Sequence, residues 1–374
     1  MKKVLIVIGT RPEAIKMAPL IVALKSDVHR FDTRICLTAQ HREMLDQVLN
    51  FFKIEPDYDL NLMKPNQSLY SISANVLMGL QPCMDEFKPH YVLVHGDTTT
   101  STFAAIAAFY AGAQVMHIEA GLRTFNKHAP FPEEMNRSIT ARIADIHFAP
   151  TVGAKQNLLK ENIANESIVV TGNTVIDALY LGLNLIREHS EVISSLKRQI
   201  NFEKRIILVT GHRRENFGEG VLNICEALKF LAQKYSDTVE IIYPIHFNPN
   251  IQGPVTRQLS DISNIKLIPP LDYEAFIWLM SKSFFILTDS GGIQEEAPSL
   301  GKPVLVMRDI TERPEAVEAG TVILVGTNKE SIVSNSERLL EDANHYSSMA
   351  GKHNPYGDGK ASNRIIEWLV NYEI

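Results

Sequence analysis

Short apolar runs alternate with longer segments that carry apolar residues at helical spacing. The runs are continuous rather than alternating, which is typical of strands buried on both faces of a parallel sheet. Strands that alternate with helices indicate an α/β fold with helices on both faces of each sheet. The predicted strands cover residues 3–8, 33–37, 91–95, 114–118, 146–149, 167–170, 205–210, 240–243, 265–268, 284–288, 303–307 and 321–325.

Helical spacing occupies most of the sequence between these strands. One segment, 58–67, is polar and contains Pro65-Asn66, so we predict a loop there. Another, 174–196, predicts a single long helix after the turn at Gly172-Asn173. The remaining individually predicted helices cover 41–52, 68–87, 99–110, 132–142 and 361–370.

The alternating pattern restarts after Gly172-Asn173. A chain of 374 residues is long enough for two domains that each bury a core. We therefore predict an N-terminal domain over 1–172 and a second over 173–355. Residues 356–374 are predicted to form a terminal helix that packs back on the first domain.

Composition excludes several classes of function. The net charge is -6 and the basic residues are scattered, which does not indicate a nucleic-acid surface. Three cysteines without CxxC spacing favour free buried thiols in a reducing compartment. The apolar run after Met1 is too short for a signal peptide, and the uncharged stretch 98–116 is too rich in small polar residues for a membrane span. We therefore expect a cytoplasmic protein. We also expect that it needs no metal or cofactor, because no HExxH, GxxxxGK[ST] or GxSxG motif occurs.

Two acids follow consecutive predicted strands. Asp97 lies in HGDTTT and Glu119 in HIEAGLRT. Because the carboxyl ends of parallel strands share one edge of the sheet, we expect the two carboxylates to approach each other there. Close carboxylates separate each other's pKa values, which suits acid–base chemistry. The alternative is that each caps a helix or pairs with Arg123.

Two helix starts add further charged side chains. Arg11 and Lys16, in GTRPEAIK, can both face an anion where the first helix begins. Glu133, Asn136 and Arg137 share one face of the helix that Pro132 opens. The alternatives are solvated cations in the first case and a surface helix with an internal ion pair in the second.

The stretch TDSGGIQEEA begins a helix directly after a buried strand. Gly291 and Gly292, after Ser290, let backbone N–H groups approach a phosphate where the helix dipole favours an anion. Glu296 lies one turn further, where its carboxylate can accept hydrogen bonds from sugar hydroxyls. The alternative is an ordinary capped helix with acids in its first turn.

Two more residues follow strands of the second domain. His212 ends the first of them, where an imidazole can donate to a phosphate or to a departing group. Arg313 follows the strand after the SGG turn and can reach the same ligand. The alternatives are a structural histidine and a surface turn with an exposed ion pair.

Ten stretches together resemble one family, the non-hydrolysing UDP-N-acetylglucosamine 2-epimerases. The matching stretches are GTRPEAIKMAP, TAQHREMLDQVL, HGDTTT, HIEAGLRT, PEEMNR, TGNTVIDAL, TGHRRENFGE, TDSGGIQEEAPSLGKPVL, RDITERPE and NPYGDG. They run in order over nearly the whole chain, which makes the resemblance far more specific than any single motif. It implies the GT-B fold, two Rossmann-like α/β/α domains with parallel sheets facing a central cleft.

The resemblance also implies a reaction and a set of roles. In this family UDP-GlcNAc and UDP-ManNAc interconvert by elimination of UDP to 2-acetamidoglucal and its re-addition with C2 inverted. Asp97, Glu119, Glu133 and His212 resemble the catalytic residues. The substrate contacts would be Arg11, Lys16, Leu271, Phe276, Ser290, Gly291, Gly292, Glu296 and Arg313. A homodimer and a supply of UDP-ManNAc for bacterial surface polysaccharides are further expectations of the resemblance.

Some relatives bind a second UDP-GlcNAc as an activator. Gln40 and Gln67 match that site, whereas Glu43 and Asn66 stand where some relatives carry Gln and Arg. Glu43 would add a negative charge and Asn66 would remove a positive charge beside a diphosphate, and both changes would weaken such a site.

Three other functions remain compatible with the sequence: a GT-B glycosyltransferase, a nucleotide-sugar-binding regulator without catalysis, and a hydrolytic relative that releases UDP. The three carboxylates favour the epimerase over the first two.

Overall fold

The computed structural model describes residues 1–38, 42–62, 67–186 and 190–372, without the side chains of residues 42 and 43. The chain divides into two compact units, Met1–Leu181 with Tyr356–Ile374, and Gly182–Pro355. Residues 173–181 thus belong to the first unit, beyond the predicted boundary near 172. The reason is a contact with the terminal segment, where Asp177 accepts backbone hydrogen bonds from Ala361 (3.1 Å) and Ser362 (2.8 Å).

The first unit contains a parallel sheet of seven strands. Its central strands are almost entirely apolar and inaccessible, as continuous apolar runs predict. The strands are β1 Lys2–Ile8, β2 Phe31–Leu37, β3 Tyr58–Asp59, β4 Tyr91–His95, β5 Gln114–Ile118, β6 Ile146–Ala149 and β7 Ile168–Val170. The helices are α1 Arg11–Ser26, α2 Arg42–Phe52, α3 Leu69–Phe87, α4 Thr99–Tyr110, α5 Glu133–Ile143, α6 Val152–Lys160 and α7 Thr174–Leu185, whose last residues, from Gly182, fall in the second unit.

The second unit contains a parallel sheet of six strands. The strands are β8 Arg205–Thr210, β9 Val239–Pro244, β10 Ile265–Ile268, β11 Phe285–Thr288, β12 Val304–Val306 and β13 Val322–Leu324. The helices are α8 Glu191–Gln199, α9 Glu219–Lys234, α10 Pro249–Leu259, α11 Tyr273–Lys282, α12 Gly291–Glu296, α13 Pro314–Glu318, α14 Lys329–Glu341 and α15 Ala343–Ala350. The predicted class, two Rossmann-like α/β units with parallel sheets, is confirmed.

The last helix, α16 Ala361–Asn371, belongs to the first unit. Its Trp368 ring lies 5.5 Å from the Phe148 ring, centroid to centroid. Arg364 donates to the Thr171 carbonyl at 2.9 Å. The end of the chain therefore completes the core of the unit in which the chain begins.

Two local predictions are wrong. The segment 174–196 is not one helix but α7 and α8, because Ser190 caps the second helix by accepting from the Ile193 N–H at 3.4 Å. The segment 58–67 is not all loop, because Tyr58–Asp59 pairs with the end of β2 as an edge strand. Such pairing is long-range, and local polarity does not reveal it.

The two sheets share a topological feature. Their strand orders are β3-β2-β1-β4-β5-β6-β7 and β10-β9-β8-β11-β12-β13. In each, the first strand of the unit lies next to its fourth, and the connections run to opposite sides from there. Open α/β sheets bind ligands at the carboxyl ends of the strands flanking this switch point. The loops after β1, β4, β8 and β11 are therefore the first places to look for a site.

Within the described part of the chain, the helices are too short or too polar to cross a bilayer. Cys36, Cys83 and Cys225 are free and buried, as the sequence predicts.

Candidate active site

Glu119 follows β5 with its backbone in the left-handed region, at φ 61°. A residue with a side chain adopts this conformation at a cost of about 1–3 kcal/mol, and such residues concentrate at functional sites. Its carboxylate forms an ion pair with Lys16 of α1 and accepts a hydrogen bond from Asn173 Nδ2 at 2.8 Å. Lys16, expected beside an anionic ligand, therefore neutralises a carboxylate of its own unit.

A buried histidine completes the surroundings of Glu119. The His95 Nε2 lies 3.9 Å from the Glu119 Oε2 and makes no hydrogen bond within the described residues. Burial lowers the pKa of His95 to about 4, against the opposing effect of Glu119. The imidazole is therefore neutral at physiological pH, and the fixed cation beside Glu119 is Lys16.

Asp97 follows β4, the strand next to β5. Arg137 of α5 donates to its carboxylate, and the Asn136 side chain donates to its backbone carbonyl at 3.0 Å. Burial raises the pKa of Asp97; Arg137 opposes this rise and the nearby Glu119 adds to it. A carboxyl with a raised pKa beside a second carboxylate is the arrangement that general acid–base chemistry uses.

The two acids in the first turn of α5, Glu133 and Glu134, differ in burial and in partners. Glu134 is buried, lies 3.3 Å from Arg137 and accepts the backbone N–H groups of Thr124 and Phe125. Glu133, the residue chosen from the sequence, is only partly buried and begins the helix. The ion pair of Arg137 within its own helix is therefore with Glu134, which leaves Glu133 outside that pair.

Arg123 resolves an alternative that the sequence left open. Its guanidinium donates to both carboxylate oxygens of Glu161, at 2.7 and 2.8 Å. The cation that pairs with Glu119 is thus Lys16 rather than Arg123.

A second buried acid joins the loops after β1 and β4. Glu13 accepts from the backbone N–H groups of Gly9 (3.0 Å) and Thr10 (2.7 Å), and from the hydroxyls of Thr98 (2.6 Å) and Ser101 (2.8 Å). Burial raises the pKa of Glu13, and hydrogen bonds from Thr98, Ser101, Thr10 and Gly9 oppose the rise. The side chain fixes the helix start that carries the partly buried Arg11 against the loop that carries Asp97.

In the second unit, Ser290, Gly291 and Gly292 open α12 after β11, as predicted. Within the described residues, the Ser290 hydroxyl makes no capping hydrogen bond. A Cβ added to Gly291 would lie 3.6 Å from the Arg313 Nη2, so this guanidinium covers the glycine. Arg313 in turn forms an ion pair with the buried Glu295. The structure thus brings a bare helix start and the predicted arginine together.

Gln294 connects the two segments of this site. Its side chain donates to the Ser290 carbonyl at 3.1 Å and accepts from the Thr311 hydroxyl at 2.6 Å. Thr311 also accepts the backbone N–H of Arg313 at 3.1 Å.

Three further predicted contacts lie close by in sequence. Glu296 is buried and accepts a long hydrogen bond from the Tyr273 hydroxyl at 3.4 Å. Phe276 is half-buried in the first turns of α11, the helix that Tyr273 begins. Leu271 precedes Asp272, which caps this helix by accepting from the Ala275 N–H at 2.8 Å.

His212 follows β8 and lies beside an acid of the SGG stretch. Asp289 accepts the backbone N–H groups of His212 and Arg213, each at 2.8 Å. The His246 ring stacks on the His212 ring at 5.7 Å. Partial burial lowers the pKa of His212; Asp289 opposes this effect, and Arg213 and His246 add to it.

The residues predicted for an activator site fall largely outside the described chain. Gln40 and Asn66 are not described, and neither is the side chain of Glu43. Gln67 is described and donates to the Leu62 carbonyl at 2.8 Å. Over the described positions, no group of three or more His, Cys, Asp or Glu is arranged to hold a metal ion.

Comparisons with known proteins identify the family. The family model described as UDP-N-acetylglucosamine 2-epimerase matches residues 22–370. A UDP-N-acetylglucosamine 2-epimerase from Escherichia coli K12 is 56% identical over 375 residues, which cover 100% of this chain and 99% of the relative. The chain belongs to the UDP-N-acetylglucosamine 2-epimerase family.

Solved structures of UDP-N-acetylglucosamine 2-epimerases agree in fold. The crystal structure from Neisseria meningitidis bound to UDP-GlcNAc has a TM-score of 0.88 at 52% identity, covering 99% of this chain and 100% of that one. The Methanocaldococcus jannaschii structure in complex with UDP-GlcNAc and UDP has a TM-score of 0.81 at 35% identity, covering 100% of both chains. The predicted family and GT-B class are confirmed.

The residues of these clusters that were not predicted from the sequence include Glu13, His95, Asn173 and Asp289. Glu13 had a detectable signal, because the Thr10-x-x-Glu13 spacing is that of a capping box. Asn173 and Asp289 stood in matching motifs but had no local feature that indicated a partner 54 or 77 residues away.

Proposed function

We propose that this protein interconverts UDP-N-acetylglucosamine and UDP-N-acetylmannosamine by inverting C2. The proposed route is the elimination of UDP to 2-acetamidoglucal, followed by re-addition of UDP. The observation that carries the proposal is Glu119, held in a strained backbone conformation between Lys16 and Asn173, with Asp97 following the adjacent strand.

Asp97, Glu119 and Glu133 are the proposed acid–base groups. Removal of the C2 proton needs a base, and a positioned one contributes about 10²–10⁴-fold in rate. Lys16 and Arg137 offset the charges of two of these acids, which lets both carboxylates lie close to one another.

The second unit provides the proposed UDP site. The uncapped start of α12 offers backbone N–H groups to a diphosphate, and Arg313 and His212 add positive charge as it departs. Arg11 of the first unit is a further proposed contact. Glu296 is the proposed ribose contact, and Phe276 with the Leu271 backbone the proposed uracil contact.

Isotope exchange tests the reaction directly. With UDP-GlcNAc in D₂O and no acceptor, an epimerase places deuterium at C2, whereas a glycosyltransferase or a binding protein does not. UDP that accumulates in proportion to product would indicate hydrolysis instead. No deuterium at C2 would exclude the proposal.

The activator site stays a proposal of its own. A sigmoidal dependence of rate on UDP-GlcNAc would support it. A hyperbolic dependence would count against it, in line with Glu43 and Asn66 replacing residues that some relatives use.

We also propose a homodimer formed through the first unit. On α3 and α4, Met78, Phe109 and Tyr110 are 66%, 66% and 73% exposed, and Met78 and Tyr110 line a cavity of about 360 Å³. Exposed apolar patches of this kind mark protein–protein interfaces. Light scattering on the full chain is expected to give a dimer, and Tyr110→Glu a monomer. A monomeric native chain would contradict the proposal.

The proposed location is the cytoplasm, on the grounds of three free buried thiols, which are typical of a reducing compartment. A supply of UDP-ManNAc for surface polysaccharides stays a prediction from the family resemblance.

A further inference from the structure

Asp289 is inaccessible to solvent and lies at the switch point of the second sheet. One carboxylate oxygen, Oδ2, accepts the backbone N–H groups of His212 and Arg213 at 2.8 Å each. The Asn216 side chain donates to the same oxygen at 3.3 Å and to the Met307 carbonyl at 3.2 Å. This oxygen therefore fixes the backbone of the loop that carries His212.

The second oxygen faces the imidazole itself. Asp289 Oδ1 is buried and makes no hydrogen bond among the described residues. Its neighbour is the His212 Nδ1, at 3.5 Å. A buried carboxylate oxygen without a donor is costly, and a protonated Nδ1 is the donor in place. The distance is longer than a good hydrogen bond, but catalytic hydrogen bonds often shorten only when substrate is bound.

The remainder of the His212 ring is accessible. The His212 side chain is 45% exposed, whereas that of Asp289 is 1% exposed. The charged or titratable groups that act on this imidazole are Asp289, Arg213 and His246. Of these, only the Asp289 carboxylate favours a protonated ring.

We propose that Asp289 is the positioning residue of His212, holding its Nδ1 protonated so that Nε2 faces the departing diphosphate. The proposal rests on the function above, in which His212 contacts UDP. A neutral His212 is then the Nδ1–H tautomer. When the ring is protonated, Nδ1–H donates to Asp289 and Nε2–H donates to a diphosphate oxygen. Asp289 thus acts on substrate only through the imidazole.

Asp289→Asn tests the tautomer. The amide oxygen of the new side chain can accept the two backbone N–H groups, and its NH₂ then faces Nδ1. Nδ1 must then accept a hydrogen bond, which moves the proton of the neutral ring to Nε2. We expect ¹⁵N spectra of histidine-labelled full-length protein to show Nδ1–H in the native protein and Nε2–H in the variant. His212→Asn identifies the signal.

Kinetics provide a second readout. The corresponding Asp to Asn change in a Ser-His-Asp triad lowers kcat about 10⁴-fold through the wrong tautomer. Because Asp289 acts indirectly here, we expect kcat to fall about 10²-fold or more, with KM changed by less than about threefold. The removed charge also lowers the His212 pKa, so the fall in rate as His212 loses its proton moves to lower pH.

Glu240→Gln is the matched control. Glu240 is also a buried acid of the second unit that accepts a backbone N–H, from Asn201 at 3.1 Å, but it lies near the other end of its strand. We expect it to lower the melting temperature without changing the His212 tautomer or kcat.

An Nε2–H tautomer in the native protein overturns the proposal, even if the Asp289 variant does not fold. An unchanged tautomer, or a kcat within about threefold of native, in a folded Asp289→Asn protein overturns it as well. Absence of C2 exchange in the native enzyme refutes the proposed function alone, because the spectra report the tautomer independently.

Discussion

The two units place a buried acid at the same point of their sheets but differ in how the neighbouring helix starts are capped. Glu13 follows the first strand of its unit and reaches the loop after the fourth; Asp289 follows the fourth and reaches back to the first. Glu13 accepts backbone N–H groups of its own loop and the hydroxyls of Thr98 and Ser101 beyond the fourth strand. Asp289 accepts backbone N–H groups of the other loop directly. The common task of these acids is to hold two loops at one edge of a parallel sheet.

The helix starts around these acids explain why the units differ. In the first unit a capping box closes α1, and Thr98 caps α4 by accepting from the Ser101 N–H at 3.0 Å. In the second unit, Ser290 makes no capping hydrogen bond at α12 in the described chain. A side-chain cap satisfies one or two of the four free N–H groups at a helix start, so an uncapped start leaves more of them for an anion. Capping therefore distinguishes α1 and α4 from α12, the helix of the proposed diphosphate site.

The largest expected effect is on catalysis by the first unit. Glu119→Gln removes a proposed acid–base group, so we expect C2 deuterium exchange to fall about 10²–10⁴-fold. UDP affinity, assigned to the second unit, should change little, as measured by calorimetry. Glu161→Gln, which breaks the ion pair with Arg123, is the control and should retain its exchange rate. Native exchange in Glu119→Gln would remove this acid from the mechanism.

Acidification should separate the stabilities of the units. Burial lowers the pKa of His95 and His147 to about 4 and that of His117 to about 3, from 6.5. All three are in the first unit. Below pH 6.5 the unfolded chain binds protons that the folded unit excludes, so stability falls as pH drops from 6.5 towards 4. The three histidines account for a loss on the order of several kcal/mol near pH 5, part of which the raised pKa values of Glu13 and Asp97 offset.

The two tryptophans allow this to be measured, since Trp368 lies in the first unit and Trp278 in the second. The Trp278→Phe variant keeps only Trp368, so its fluorescence during urea unfolding reports the first unit. The Trp368→Phe variant keeps only Trp278 and reports the second unit. The free energy from Trp368 should fall more steeply between pH 6.5 and 5. Equal slopes would show that the buried histidines do not distinguish the units.

A smaller effect is expected from Glu13→Gln. The amide cannot accept all four hydrogen bonds, and buried donors left without a partner cost about 1–3 kcal/mol. We expect the Trp368 reporter to show this loss of unfolding free energy, with little change at Trp278. Matched losses at both reporters would contradict a role confined to the first unit.

The smallest effect concerns the anion site of the second unit. A Cβ at Gly292 meets only the Glu296 Oε2, at 3.9 Å, so the unliganded fold accommodates alanine. With UDP bound, the added methyl group would keep the phosphate away from the backbone N–H groups. We therefore expect Gly292→Ala to lower the affinity for UDP about 10-fold. Gly253→Ala, inside α10 with a similarly open Cβ, is the control for calorimetry. Unchanged UDP affinity would place the diphosphate elsewhere.

Periodicity alone was enough for the architecture, because buried parallel strands are continuous apolar runs whatever their neighbours. Most strand bounds differ from the predictions by one or two residues at most. The prediction of one helix over 174–196 was wrong, because helical spacing continues through the segment that Ser190 interrupts. The edge strand β3 was missed, because its polar residues are stabilised by pairing with β2.

Motifs placed Asp97, Glu119, His212 and Ser290 at strand ends, and their order along the chain was sufficient to recognise the family. Their partners depended on the tertiary structure. Lys16 pairs with Glu119 across 103 residues, and Asp289 bonds the His212 backbone across 77. The second contact exists because β8 and β11 are neighbours in their sheet, and the first because β4 alone separates β1 from β5. Strand order results from the packing of the whole unit, so it cannot be predicted from local sequence.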